Sequence, residues 1–315
     1  MDVGVPLSRL IRNGWEEARH CGHAVLVDPD GSVVRAWGRP FDPYLPRSAA
    51  KPLQATGMVQ AGLAVEGAQL AVCASSHNGE EIHLASVRQI LADGGLSEQD
   101  LKNAPGLPYN QKAMLAWVQG GGGLASVTQN CSGKHSAMLR TARCLGASIE
   151  DYLDPEHPVQ RAAIAGIERL SGERIAHLAT DGCGAPVVAI TLVGLARAYS
   201  RLVQGAADEA EGKVARAMST HPQYVGGDDR DVTKFMRAVP GAVAKDGAEG
   251  VHVLALPDGR AAAAKVSDGS ERTRAAVAVG LLRHLGIVDE DVLAAAAPAP
   301  VTGGAQPVGH IEAVF

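Results

Sequence analysis

Aromatic residues are scarce in this chain of 315 residues, with three Trp, five Tyr and three Phe making 3% of the total. That scarcity argues against a stacking platform for single-stranded nucleic acid, which offers an aromatic face to successive bases. No dense run of Lys or Arg occurs and the formal net charge is −5, so the electrostatic footprint of a nucleic-acid or anionic-membrane binder is missing. No stretch approaches the roughly 20 apolar residues of a membrane span. Met1 to Leu10 lacks a cationic segment followed by an apolar run of secretory length. These absences lead to the expectation of a cytoplasmic protein with a small-molecule partner. Cysteine is also sparse: Cys21, Cys73, Cys131, Cys144 and Cys183 are an odd number without a leader, so thiol or metal chemistry is expected over a disulfide framework.

What is present reads as an α+β chain. Two apolar runs over residues 22–38 flank Pro29-Asp30-Gly31, a turn sequence, and predict a β-hairpin. The design recurs where Val251 to Leu256 meets Pro257-Asp258-Gly259 and a second run continues to Ser267. Asp268-Gly269-Ser270 supplies cap residues for a helix through about His284 that would cover the sheet. Between the hairpins, helical patterns occupy 49–61, 80–92, 134–144, 158–170, 186–200, 207–218 and 229–237, and Leu70 to Ala74 reads as a strand or a buried run. Strands at both ends with helices between them predict an antiparallel sheet built from both termini around an inserted helix-rich part. The expected division is 1–55 with 245–315 for the sheet part and 56–244 for the helix-rich part. Gly120 to Gly123 is read as a hinge or a close backbone approach, and Ala294 to Gly309 as a tail over the surface.

The candidate chemistry begins at Ser48 and Lys51 in Pro46-Arg47-Ser48-Ala49-Ala50-Lys51-Pro52. A serine hydroxyl is a poor nucleophile until a base takes its proton, and on a helix the i, i+3 spacing brings a lysine nitrogen within reach of it. Such a base must be neutral, a state that burial and neighbouring cations favour. Ser-x-x-Lys alone is a common pattern on solvated helices. Here Asp42, Arg47 and Lys51 are the only charges between residues 42 and 54, and Pro52 imposes an irregular helix start. Ser75-Ser76-His77-Asn78-Gly79-Glu80 reads first as helix capping and second as a polar cluster at an element end.

Cys131, Lys134 and His135 have helical spacing, and Cys183 lies in the Gly-flanked loop Thr180-Asp181-Gly182-Cys183-Gly184. Two thiolates and a third donor suit Zn²⁺, and chemistry alone favours neutral His135 over Lys134 as that donor; two inert buried cysteines are the plainer reading. Lys265 ends an uncharged strand with alternation that turns it inward, or it guards a sheet edge. Asp181 could pair with a substrate ammonium and Arg47 could fork a carboxylate, unless both are ordinary loop charges.

Arg47-Ser48-Ala49-Ala50-Lys51-Pro52, Ser76-His77, Asn130-Cys131-Ser132-Gly133-Lys134-His135, Thr180-Asp181-Gly182-Cys183 and Lys265-Val266-Ser267-Asp268-Gly269 together resemble the rhizobial type of L-asparaginase, the asparaginase II family. The resemblance runs in order through most of the chain. It implies a fold similar to serine β-lactamases and glutaminases, a site between an α/β and a helical part, and a homodimer. It also implies hydrolysis of L-asparagine by two Ser-Lys pairs, Ser48 with Lys51 and Ser76 with Lys265, Ser48 attacking and Lys51 acting as general base. Zn²⁺ would be held by Cys131, Lys134 and Cys183, against the chemical preference for His135, which moves to the substrate-binding groups with Arg47 and Asp181. Rival readings are a glutaminase or penicillin-recognising hydrolase, a zinc-thiolate binding or sensing protein, and a Cys-His hydrolase built on Cys131 or Cys183.

Overall fold

The computed structural model describes residues 3–315, so the reading of Met1 and Asp2 lies outside the described residues. The strands are β1 Val5–Arg12, β2 Trp15–Val27, β3 Val33–Trp37, β4 Pro43–Tyr44, β5 His177–Thr180, β6 Pro186–Thr191, β7 Val243–Gly247, β8 Val251–Ala255, β9 Ala261–Val266, β10 Val301–Gly303 and β11 Gln306–Ala313. The helices are α1 Lys51–Gln60, α2 Gly67–Cys73, α3 Glu81–Ala92, α4 Gln111–Gln119, α5 Ser132–Cys144, α6 Pro158–Ser171, α7 Leu192–Gln204, α8 Ala210–Thr220, α9 Pro222–Val225, α10 Asp231–Ala238, α11 Arg274–His284 and α12 Glu290–Ala296.

The main sheet runs β10-β11-β1-β2-β9-β8-β7, with β3 branching from β2, and its pairs are antiparallel. The fold is therefore α+β with a sheet drawn from both chain ends. Strand β2 is long enough to pair with β1 through its first half and with β3 and β9 through its second. A second sheet, β4-β6-β5, joins Pro43–Tyr44 to the strands at His177–Thr180 and Pro186–Thr191. Strands β8 and β9 are nearly continuous apolar runs because helices cover both faces, α7 on one and α11 on the other. On α7, Leu192, Leu195, Ala196, Tyr199 and Leu202 are buried at helical spacing. One hydrophobic cluster includes residues of the sheet and of the inserted helices.

Helix α1 packs directly on α6 because two glycines face each other's backbones. A Cβ on Gly57 would stand 2.2 Å from the Ala162 carbonyl oxygen, and one on Gly166 would stand 2.6 Å from that of Leu53. This close approach fixes the helix that carries Lys51. No helix among the described residues is long and apolar enough to cross a membrane.

Several expectations are corrected. Leu70 to Ala74 belongs to α2 and its exit, and the segment from 186 opens as β6 before turning into α7. Residues 5–21, to which the sequence pattern assigns no element, form β1 and the start of β2. The Ala294–Gly309 segment does run over the surface, but as regular structure: the end of α12, then β10 and the first half of β11, which pairs with β1. In the glycine run, Gly122 makes a close approach to Trp117, whose indole N–H donates to the Gly123 carbonyl at 2.8 Å.

Candidate active site

A turn of 3₁₀ helix, Arg47–Ala50, runs into α1, whose first residue is Lys51 and whose second, Pro52, needs no N–H partner there. Arg47 has φ +50, a left-handed conformation that costs an L-residue about 1 kcal/mol or more. The turn is held in place from two sides. Tyr199 Oη donates to the Ala49 carbonyl at 2.8 Å, and β7 abuts it where a Cβ on Gly247 would lie 2.4 Å from the Pro46 carbonyl oxygen. Ser48 is half-buried on this turn.

Lys51 is 1% exposed. Its Nζ lies 2.7 Å from the Ser75 carbonyl oxygen, 3.0 Å from Ser76 Oγ and 3.4 Å from the Asn130 carbonyl oxygen. The structure thus joins Lys51 to Ser76 and leaves Ser48 one turn away from these bonds. Three donors of an ammonium satisfy this arrangement. A neutral amine fits it as well, donating to the two carbonyls and accepting the Ser76 hydroxyl proton.

The loop that carries Ser76 follows α2 and hangs on the segment after α9. Ser76 N–H donates to the Val225 carbonyl at 3.0 Å and Asn78 N–H to that of Gly226 at 2.7 Å. His77 is a structural residue of this loop. Its Nδ1 accepts the Gly79 N–H and its Nε2 faces Ser132 Oγ, whose own proton goes to the Val127 carbonyl. The ring is therefore neutral with the proton on Nε2, and burial, together with the charges of His83 and Lys51, pushes its pKa well down.

The expected pair of Ser76 with Lys265 does not form. Lys265 is half-buried, and its Nζ donates to the Glu249 and Val266 carbonyls at 2.6 Å each. Sequence alternation placed it inward, but it stands at the end of β9 beside a turn, where carbonyls rather than a serine meet it. Sequence reasoning missed Lys245 on β7. It is wholly buried, and its Nζ donates to Asp246 Oδ1 at 2.8 Å and to the Asp246 carbonyl at 2.9 Å. Burial brings its pKa down to about 8, with Asp246 opposing and the positive charge of Lys51 adding to the fall. Strand β7, which carries Lys245, packs against the 3₁₀ turn that carries Ser48.

Cys131, Lys134 and Cys183 converge. Cys131 precedes α5 and Lys134 lies in its first turn, while Cys183 sits in the tight turn between β5 and β6 that Asp181 N–H closes on the Ala185 carbonyl at 2.9 Å. All three are buried, and Lys134 Nζ lies 3.3 Å from Cys183 Sγ. The Cys131 Sγ lies 3.2 Å from Asn130 Oδ1; its neighbour Cys183, aided by Lys51 and Lys134, holds Cys131 well below the usual thiol range, and Cys131 in turn, with burial, pushes Cys183 up. Burial would lower Lys134, but the sulfur charges and Asp181 outweigh it and raise it. Among the described residues no three His, Cys, Asp or Glu side chains form a metal-ligating group. The two sulfurs and the Lys134 amine are the donors gathered here, and the amine must lose its proton before it can bind a metal.

The His135 ring bonds to Tyr152. Tyr152 Oη already accepts the Lys102 N–H at 2.9 Å, so its own proton goes to His135 Nδ1 at 2.9 Å. The ring proton is then on Nε2, which is buried and has no partner among the described residues. Burial, then Lys134 and Lys51, push this histidine well below its ordinary pKa. Arg47 Nε donates to Asp181 Oδ1 at 2.7 Å. Burial alone would raise the Asp181 carboxyl, but Lys134 and Arg47 outweigh it and hold it down. The structure thus brings together Arg47 with Asp181, Lys51 with Ser76 and Lys134 with Cys183.

A sequence model of the L-asparaginase II family matches residues 8–313. No curated protein matches the chain with significance. Among solved structures, a β-lactamase from Mycobacterium bovis is similar at 13% identity and a TM-score of 0.47, over 84% of this chain and 95% of that one. A putative β-lactamase from Bacteroides dorei is similar at 14% identity and a TM-score of 0.43, over 83% of this chain and 93% of the other.

Proposed function

Because this chain belongs to the L-asparaginase II family, we propose that it hydrolyses the side-chain amide of L-asparagine, giving L-aspartate and ammonia through a serine acyl-enzyme. The observation that carries the reading is the buried contact of Lys51 Nζ with Ser76 Oγ, with Ser48 on the 3₁₀ turn that leads into the helix of Lys51. Ser48, the more accessible of the two serines, attacks the amide carbon, and Lys51 takes its proton. The apo arrangement leaves this Ser48 contact to form with substrate, as catalytic hydrogen bonds commonly do. Ser76 hands a proton from Lys51 to the departing nitrogen, so ammonia leaves and the Ser48 ester remains. Water then cleaves the ester, returning the proton to Ser48 and releasing aspartate.

Lys245 takes the place first given to Lys265. Two of its N–H groups are held by Asp246, and the third has no partner among the described residues. As an ammonium it stabilises negative charge developing beside Ser48. Arg47 receives the substrate α-carboxylate and Asp181 the α-ammonium, each exchanging its present partner for the substrate, and the unpaired His135 Nε2–H supplies a further donor.

Cys131, Lys134 and Cys183 would hold Zn²⁺, whose charge when bound adds electrostatic attraction for substrate oxygen near the site. The reading includes a homodimer, as the family resemblance implies; a monomeric mass in sedimentation at working concentration contradicts that part. Ammonia release from asparagine and from glutamine, measured side by side, tests the substrate. Preference for glutamine overturns the assignment in favour of a glutaminase.

A further inference from the structure

We propose that Asp246 is a positioning residue that holds Lys245 in place and ties the strand carrying it to the loop carrying Ser76. This rests on the reading of Ser48, Lys51, Ser76 and Lys245 as one centre. Each carboxylate oxygen has its own task. Oδ1 accepts from Lys245 Nζ at 2.8 Å, and Oδ2 accepts from Arg230 Nη2 at 2.5 Å, with Arg274 Nη1 at 3.6 Å from the same oxygen.

Arg230 is the link to the serine. It caps α10 at the end of the segment whose Val225 and Gly226 carbonyls hold the Ser76 and Asn78 N–H groups, and its Nη1 also reaches Asn78 Oδ1 at 3.5 Å. The Arg230 guanidinium lies over the Tyr109 ring, 4.9 Å from its centre, which fixes it from the far side. The connection runs Lys245, Asp246, Arg230 and then the backbone of the Ser76 loop. It crosses from the sheet to the helical part, and the two halves of the site move apart if it opens.

The charges give the carboxylate its weight. The buried Lys245 and Arg274 and the largely buried Arg230 meet on this one carboxylate, and Arg274 has Glu271 Oε1 at 3.6 Å besides, so a neutral residue at 246 leaves Lys245 and Arg230 without their direct counter-charge. The charged and titratable groups that face Lys245 are Asp246 beside it on β7, Lys51 from α1, Arg230 from the segment before α10 and His252 from β8. Those that act on Asp246 are Arg230, Lys245 and Arg274, while the buried His252 of β8 stands opposite it in register.

Asp246→Asn keeps the shape and removes the charge. The expected result is a kcat lower by about ten-fold or more with KM within about two-fold, since a positioning error costs rate before affinity. The alkaline limb of the kcat–pH profile should move to lower pH by about one unit, because the ammonium loses its counter-charge. The same shift is read without substrate in ¹³Cε-lysine NMR, with the Lys245 signal assigned by its loss in Lys245→Arg. If Asp246→Asn does not fold, Asp246→Glu replaces it, with the titration of Lys245 kept and kcat reduced. A lower kcat with neither limb nor NMR titration moved means a purely structural ion pair and overturns the proposal. An unaltered NMR titration overturns it even where asparagine proves not to be the substrate, so the two failures are distinguishable.

Discussion

Lys51 Nζ lies 3.0 Å from Ser76 Oγ, although Ser76 is 25 residues away in the chain and Ser48 is three. The base is thus shared between two serines, one bonded to it and one poised a helical turn before it. This relationship organises the account, because a lysine between two hydroxyls can accept a proton from one and return it through the other.

Lys245 gives the site a pH signature. Its pKa is lowered to about 8, mainly by burial, so the ammonium is present at neutral pH and is lost as pH rises through that value. Activity should therefore decline as pH rises through about 8. Lys245→Met should remove that limb and lower kcat at all pH values, as measured by ammonia release between pH 6 and 10. For stability the sign is opposite. A depressed lysine binds fewer protons in the folded state than in the unfolded state between about 8 and 10.5, so this group's contribution rises with pH across that window.

Arg47 and Asp181 neutralise each other in the free protein. Arg47→Ala should raise KM for asparagine about 10- to 100-fold, the worth of a charge-assisted hydrogen bond, with kcat changed far less. Succinamic acid, which lacks the α-ammonium, should bind more weakly than a lost contact alone predicts, because it leaves Asp181 buried and unpaired. Inhibition constants for it and for β-alaninamide check this.

Metal should track the two sulfurs. Cys131→Ser and Cys183→Ser should each lower zinc content by elemental analysis, and chelation should do the same to the parent protein. Active protein free of zinc contradicts the Cys131, Lys134 and Cys183 assignment.

The glycine contact between α1 and α6 should be intolerant of one methyl group. Gly57→Ala forces the helix of Lys51 off Ala162 and should destabilise the protein by about 1–3 kcal/mol, seen as a lower denaturant midpoint.

The sequence made part of this visible. Both later hairpins, most of the helices and the Ser48, Lys51, Cys131 and Cys183 motifs follow local patterns that survive folding. Lys245 did not stand out because Lys-Asp in a short run reads as surface charge. It is buried only because β7, an edge strand, is covered by the 3₁₀ turn and α10, a contact across some 190 residues of chain. Lys265 misled for the converse reason, since a strand's alternation gives a face and not the partners found there. The partner of Lys51 was likewise beyond reach, because it depends on a loop hung from Val225 and Gly226.

The most direct test of the serine-lysine centre is to trap the protein with an electrophilic diazoketone analogue of asparagine and map the adduct by mass spectrometry, in parent protein and in Ser48→Ala. The account predicts a single adduct on Ser48, absent from a folded Ser48→Ala protein whose ammonia release has fallen by about 10⁴-fold or more. An adduct on Ser76, or a folded Ser48→Ala protein that turns asparagine over near the parent rate, contradicts it.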